Sequence, residues 1–421
     1  MTISANTPSR APAAASQPAA PLTMGLAVVC VVLVALQLRP GIVAVGPLLP
    51  SIIDEFGLSH TQASLLTAIP TLMMGLLALP APRLAARFGR DRVIVGAMAV
   101  LALTTFARAF ADTALVLFVA TAGIGAGIAV AGVLIASFVK ASFPGRAAIF
   151  MSLYATSLAL GSTLSAAASG PLAVAGGWRY AAGSWALPAL GGLLAWIVVA
   201  RRMPPARAAA TGPVRARMPW RHPTAWLIAI FFACNNVVFY AFIAWLAPMH
   251  IESGMDAASA SLVLASFTIA FMVANPLFGF LSRNEDRRIP LAIASSLALA
   301  GIALMLGMPG RSPHLVAALI AFGTGGAFSL ALTLPLDNTD TPDDTSAWNA
   351  FVMLISYAVA AAGPLAVGQL RDATGDFGSA LWMIAAVSGL MLATTPFLQP
   401  VTSPSRNKKH VPPTKLGSES N

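Results

Sequence analysis

Arg39 is the residue whose setting demands chemistry. From Thr23 to Ile53 every other residue is uncharged until Asp54. A run of that length reads as a transmembrane helix, which needs about 20 apolar residues. A charge inside such a helix costs about 2.5–3.5 kcal/mol on insertion scales. Met24 to Leu38 would span only about 22 Å at a rise of about 1.5 Å per residue. That is short of a hydrocarbon core of about 30 Å, so the helix is expected to run on past Arg39 through the apolar stretch Gly41 to Ile53. Arg39 then lies in the inner part of the bilayer, where an ionisable group faces a cavity by default. All fifteen acidic residues fall outside the helix interiors, with Asp337 the nearest to an exception. An unpaired buried cation is costly. The missing charge is expected to come from a substrate, a small anion or a strongly dipolar molecule, which the planar fork of a guanidinium grips with two parallel hydrogen bonds.

Further binding candidates are the uncharged polar residues at similar depth. They are Gln37 beside Arg39, then Asn235, Asn236 and Tyr240 in the seventh hydrophobic segment, Tyr154 in the fifth and Tyr357 in the eleventh. Asn235 and Asn236 point about 100° apart on a helix, whereas Asn236 and Tyr240, four apart, share a face. Hydrogen bonding between helices is the competing account of each of these side chains. His60, His222, His250, His314 and His410 sit at segment ends or in tails and read as solvated. There is no HExxH motif and no Cys/His cluster, so neither an enzyme site nor a metal or other cofactor is expected. Cys30 and Cys234 each lie in a hydrophobic run and read as small packing residues. A channel would want a ring or filter of repeated polar groups, and none is visible.

The elements that must position these residues follow from composition. The chain has 421 residues, 57% hydrophobic and only 10% charged, against about 25% charged in soluble domains. Twelve hydrophobic segments are expected as helices, over 24–50, 59–82, 93–110, 114–138, 147–172, 179–200, 224–249, 258–281, 289–308, 314–335, 346–369 and 378–398. The fold class is therefore an all-α membrane protein, since only helices or closed barrels satisfy the backbone in lipid. Lys and Arg set the orientation. With the N-terminus inside, 20 of the 25 basic residues fall on the inner connections and tails, and Arg108, Arg179, Arg311 and Arg371 fall outside. Both termini are thus expected in the cytoplasm and the chain in the plasma (inner) membrane. The same asymmetry accounts for the net charge of +10 without nucleic acid. The expected partners are a small-molecule substrate and the lipid bilayer, with the chain acting as a monomer.

Residues 1–23 read as a cytoplasmic tail and 399–421 as a second one. The basic, Pro-rich stretch 201–223 reads as a linker between a bundle over 24–200 and another over 224–398. The two halves echo each other. Gly123-Ile124-Gly125-Ala126-Gly127 matches Gly323-Thr324-Gly325-Gly326-Ala327, Ser64-Leu65 matches Ser261-Leu262, and Gly170-Pro171 has a partner in Gly363-Pro364. Homologous halves place a substrate site near the midplane between them. The glycine clusters are expected to let helices pack closely rather than to cradle phosphate.

The stretch before the third segment, Pro82-Arg83-Leu84-Ala85-Ala86-Arg87-Phe88-Gly89-Arg90-Asp91-Arg92, resembles the loop 2–3 signature of the major facilitator superfamily. Arg87, Gly89 and Arg90 fit its pattern; Pro82, Ala86 and Asp91 stand where it has Gly, Asp and Arg. Gly177-Trp178-Arg179 looks like the same superfamily. Within it, Leu38-Arg39-Pro40 followed by Val45-Gly46-Pro47-Leu48-Leu49-Pro50 is similar to the cyanate and nitroimidazole transporter family, as are Lys140-Ala141-Ser142-Phe143-Pro144, Gly363-Pro364 and Arg371-Asp372. That family usually has Asn where Gln37 stands, and a polar residue and a Pro where Gly132 and Ala136 stand. The resemblance implies two pseudo-symmetric six-helix bundles that carry a small anionic or dipolar solute by alternating access. A proton-coupled drug exporter of the same superfamily is the alternative; it would usually carry a membrane carboxylate as proton relay.

Overall fold

The structure, a computed structural model, describes residues 24–142, 146–202, 218–282 and 286–399. The expected tails, most of the linker (203–217) and Arg283 lie outside the described residues. Among the described residues ten stretches are long and apolar enough to cross a membrane. One of them, Ile149–Arg202, holds two crossings, because Gly177 at φ +80° breaks its helical course. The third segment, Arg90–Arg108, is the remaining crossing; any 18 residues of it include three charged ones. The total is twelve, as hydropathy implied.

The first crossing departs from expectation. Instead of one helix over 24–50 there are α1 (Met24–Gln37), α2 (Pro40–Val43), a 3₁₀ turn (Gly46–Leu48) and α3 (Leu49–Phe56). Proline has no N–H to give and its ring crowds the preceding turn. Pro40 and Pro47 therefore leave the Leu36 and Val43 carbonyls without their usual helical donors. The eleventh crossing is divided in the same way, into α15 (Pro342–Ala360) and α16 (Ala362–Thr374) ahead of Pro364.

The remaining crossings of the N-terminal half are α4 (His60–Ala78), α6 (Arg90–Arg108), α7 (Ala114–Ser142), α8 (Ala147–Ser184) and α9 (Ala186–Arg202), with the short α5 (Ala81–Phe88) between α4 and α6. The other half has α10 (Pro223–Glu252), α11 (Ala257–Leu281), α12 (Arg288–Gly307), α13 (Pro313–Ala331), the short α14 (Leu334–Asp337) and α17 (Gly378–Thr394) beside α15 and α16. Some helix starts are capped by side chains that satisfy the orphan N–H groups. Ser59 and Gln62 form a capping box on α4, Thr341 caps α15 and Asp256 caps α11. The Ser259 hydroxyl and N–H hold the Asp256 carboxyl below its usual range.

Within each half the glycines let helices meet. A Cβ on Gly125 would come 2.5 Å from Pro70 Cα of α4, and one on Gly325 2.7 Å from the Phe271 oxygen of α11. These are the close small-residue contacts expected of membrane helices. The halves join through α8 against α11 and through α4 against α15 and α16. Large apolar side chains such as Leu103, Phe106, Val119, Leu187, Phe280 and Ile289 are exposed around the outside, where lipid rather than water meets them.

The two ends of the molecule differ. At the end where α4 begins, here the His60 end, Arg179 pairs with Glu55 and donates to the Ala111 oxygen at 2.8 Å, tying three connections together. At the opposite end Gly89, at φ +88°, turns α5 into α6. There Arg90 pairs with its neighbour Asp91 at 3.3 Å and stacks 4.7 Å over Phe138 of α7. Arg83, Arg87, Gly89 and Arg92 of the same connection are exposed. In the other half Arg287 holds Asp337 in an ion pair at that same end, so Asp337 belongs to a helix-end pair rather than to the interior.

Candidate functional site

The break after Gln37 decides where Arg39 points. Arg39 is the N-cap of α2, at φ −119° and ψ −34°, and its carbonyl accepts from the N–H groups of both Ile42 and Val43. Its neighbours Leu38 and Pro40 are buried, yet Arg39 itself is partly exposed near the middle of the 32-residue apolar stretch. Its Nη1 donates to Tyr240 Oη at 3.2 Å, across from one half to the other. Tyr240 in turn reaches Met74 Sδ of α4 at 3.8 Å. The Tyr357 ring stands 6.2 Å from the Tyr240 ring, edge-on. Tyr154 of α8 and Tyr357 of α15 both lie within electrostatic range of the guanidinium. Among the described residues Arg39 has no carboxylate partner.

Arg39, Tyr154, Tyr240 and Tyr357 thus come together from both halves. The other candidates do not join them in the same way. Asn236 gives its amide N–H to Ser356 Oγ at 2.6 Å, a bond between α10 and α15. Asn235 is fully buried and, among the described residues, neither of its amide atoms has a partner, so no bond joins it to the Arg39 group. Gln37 packs against Gly192 of α9, inside the N-terminal half. Gly132 lies beside the group: a Cβ there would come 3.7 Å from Tyr154 Oη and 4.0 Å from Leu38 Cδ1, ordinary contact.

Two neighbours of the site escaped sequence reasoning. Met74 lies on the apolar α4 and carries no polar signal. Arg108 was assigned to an outer connection, but it is 3% exposed and buried within the bundle. Its Nη1 donates to the Gly41 oxygen at 3.0 Å and its Nη2 to Thr121 Oγ1 at 3.1 Å. The reason is the break in the first crossing. Val45 N–H turns to Ile42 instead of Gly41, and a buried carbonyl so released needs another donor. Pro40 and Pro47 were the signal that such donors would be needed.

The arrangement offers a fixed cation, three phenols and a thioether in an apolar setting. It can grip a small anion or dipole and stack a planar group. It contains no nucleophile–base pair, and among the described residues no group of His, Cys, Asp and Glu could hold a metal ion.

Comparison with known proteins agrees with this picture. The Major Facilitator Superfamily model matches residues 28–341. The chain is 33% identical over 372 residues to the cyanate transport protein CynX of Escherichia coli (strain K12), covering 87% of this chain and 95% of that one. It is 28% identical over 363 residues to the 2-nitroimidazole transporter of the same organism, covering 86% and 92%. Its fold matches the crystal structure of a D-xylose–proton symporter with a TM-score of 0.72 at 15% identity, covering 88% of this chain and 97% of that one. With its twelve crossings in two six-helix bundles, the chain belongs to the Major Facilitator Superfamily and is a multi-pass membrane transporter, not an enzyme.

Proposed function

We propose that the protein carries a small anionic or strongly dipolar solute by alternating access, with Arg39 as its anchor and Tyr154, Tyr240 and Tyr357 as the walls of the site. The observation that carries this reading is Arg39 itself: a cation at mid-depth, partly exposed, with no carboxylate among the described residues to neutralise it. A solute that brings the missing charge offsets the cost of burying the cation. Relatives named for cyanate and for 2-nitroimidazole support a small planar or linear solute. A cationic drug would meet Arg39 with repulsion, which disfavours the drug-exporter alternative. Asn236 and Gln37 have a supporting part in this reading, through the bond of Asn236 to Ser356 and the packing of Gln37 on Gly192, while Asn235 is buried without a partner among the described residues. Cells with and without the protein should differ in uptake of, or resistance to, labelled cyanate, nitrite, benzoates and 2-nitroimidazole. A difference confined to cationic drugs would overturn the proposal.

In this reading the protein is a monomer in the plasma (inner) membrane, and the Arg90 end, both termini and the 201–223 linker face the cytoplasm. The support is the 20-to-4 division of basic residues, which follows the positive-inside rule. Single cysteines replacing Thr211 and Gly254, in a background without Cys30 and Cys234, are expected to respond oppositely to an impermeant thiol reagent. Position 254 reacts in intact cells and position 211 only after lysis. Labelling of position 211 from outside would reverse the orientation.

A further inference from the structure

The solute site leaves unused the polar network at the His60 end. His60 opens α4, and the other half holds its ring from two sides. Nδ1 lies 2.8 Å from Asp372 Oδ1 of α16, and Nε2 lies 3.4 Å from Glu252 Oε1 of α10. Both ring nitrogens carry a proton only in the imidazolium; a neutral ring must turn a lone pair toward one of the carboxylates. The Asp372 carboxylate also accepts from the backbone N–H groups of His60 and Thr61, at 2.9 and 2.8 Å, and from the Thr61 hydroxyl at 2.7 Å. Glu252 Oε2 accepts from Arg371 Nε and Nη2 at 3.1 and 2.9 Å. With His60 charged, two cations face two carboxylates. With His60 neutral, one negative charge is left over.

Asp372, Glu252 and Arg371 are the titratable or charged groups around the ring. Trp245 of α10, 5.6 Å away and tilted by 36°, and Phe377, edge-on at 6.4 Å, complete its surroundings. An indole face adds a further attraction for a cation. The His60 side chain is 22% exposed, so solvent reaches it at this end. The sequence alone reads His60 as a solvated helix-end residue; its partner Asp372 lies 312 residues downstream, Glu252 also belongs to the other half, and neither leaves a local trace.

The position of this network gives it a consequence for transport. Further polar ties between the halves are Ser64 to the Pro364 oxygen, Thr163 to Thr268, and the bonds of Tyr240 to Arg39 and Met74. They lie between the His60 end and the middle of the molecule. The His60 network joins α4 of one half to α10 and α16 of the other, so it exists only while the His60 end is closed.

We propose that His60 is a proton-binding site that controls this closure: one proton held between Asp372 and Glu252 latches the halves, and its loss releases them. A charged ring makes an ion pair across the halves with each carboxylate that a neutral ring does not, so protonation and closure favour one another. By linkage the closed form gains as pH falls and the open form as pH rises. The proposal rests on alternating access but not on the identity of the solute or the role of Arg39.

The test uses spin labels at Asp54 and Ala373, exposed residues of opposite halves at this end, on the full chain with Cys30→Ala and Cys234→Ala, purified into lipid nanodiscs without solute. Pulsed EPR distances at a series of pH values are expected to show the longer-distance population growing as pH rises. One linked proton changes the open-to-closed ratio by up to about tenfold per pH unit. In His60→Gln the distribution is expected to be the same at every pH. In Glu252→Gln, which keeps the histidine but removes one flanking charge, closure should require a lower pH. A wild-type distribution that ignores pH overturns the proposal, as does a His60→Gln protein with the wild-type response. A Glu252→Gln protein with an unmoved midpoint also counts against it. Because no solute is present, a pH response without anion transport would sink the solute reading and leave this one standing.

Discussion

Replacing Arg39 with alanine is expected to abolish transport while the protein still folds and inserts. Two separate balances lead there. Insertion improves, because a cation at the bilayer centre costs about 2.5–3.5 kcal/mol and alanine removes it. Little packing is lost, since Arg39 is partly exposed and its partner Tyr240 retains Met74 as a neighbour. Solute binding, in contrast, loses its charged anchor. A hydrogen bond to a charged group is worth about 1.5–3 kcal/mol, and a bidentate grip has two. Arg39→Lys separates charge from shape. It retains the cation but not the planar fork, so affinity is expected to fall about tenfold or more, the equivalent of about one such bond. Equilibrium binding on purified protein, with thermal unfolding as the control for folding, decides the matter. Wild-type affinity in Arg39→Ala would make Arg39 a structural residue.

What could be read from the sequence was what depends on local patterning. The crossings were legible because lipid requires long apolar runs, and Arg39 because it is the lone charge in one of them. The course of the chain at Arg39 was legible only in part. Pro40 and Pro47 were visible, but apolarity alone suggested a continuous helix, and it took the folded form to show α1 stopping at Gln37. Gln37 and Arg39 stand two residues apart, and the break sends one to Gly192 within its own half and the other toward Tyr240 across the interface. Arg108 was misplaced for a related reason. A basic residue near a helix end looks solvated, and the Gly41 carbonyl that holds it becomes available only through the break. His60 illustrates the wider limit. Its environment comes from Glu252 and Asp372 in the other half, and no periodicity in the first half encodes that meeting. The repeat matched residues between the halves without saying which of them would meet. Gly170, paired in the sequence with Gly363, finds its structural counterpart in Gly368.

That counterpart relation carries the second large expectation. Gly170 of α8 abuts Ala257 and Ser261 at the start of α11, and Gly368 of α16 abuts His60 and Ser64 at the start of α4. Each glycine belongs to one half and the serine it meets to the other, so the two contacts are pseudo-symmetric copies at the His60 end. A Cβ at either position would collide with the facing helix, in part with its backbone. Backbone cannot rotate away as a side chain can. Leucine at position 170 or 368 is therefore expected to oppose closure of this end, with overpacking worth about 1–3 kcal/mol. The same leucine suits the helix itself better than glycine by about 0.5–1 kcal/mol, so a form open at this end should be at least as stable as before. Transport should then fall about fivefold to a hundredfold or more, as 1–3 kcal/mol on the closing equilibrium implies, and the double variant should fall further. Solute binding from the open side should persist. Gly389→Leu serves as the control, because nothing stands within 4 Å of a Cβ there; it should transport normally. Uptake by Gly170→Leu at the wild-type rate would mean that α8 and α11 need not meet during the cycle. Loss of both binding and thermal stability in each leucine variant would instead make these glycines part of the folding core rather than of the moving interface.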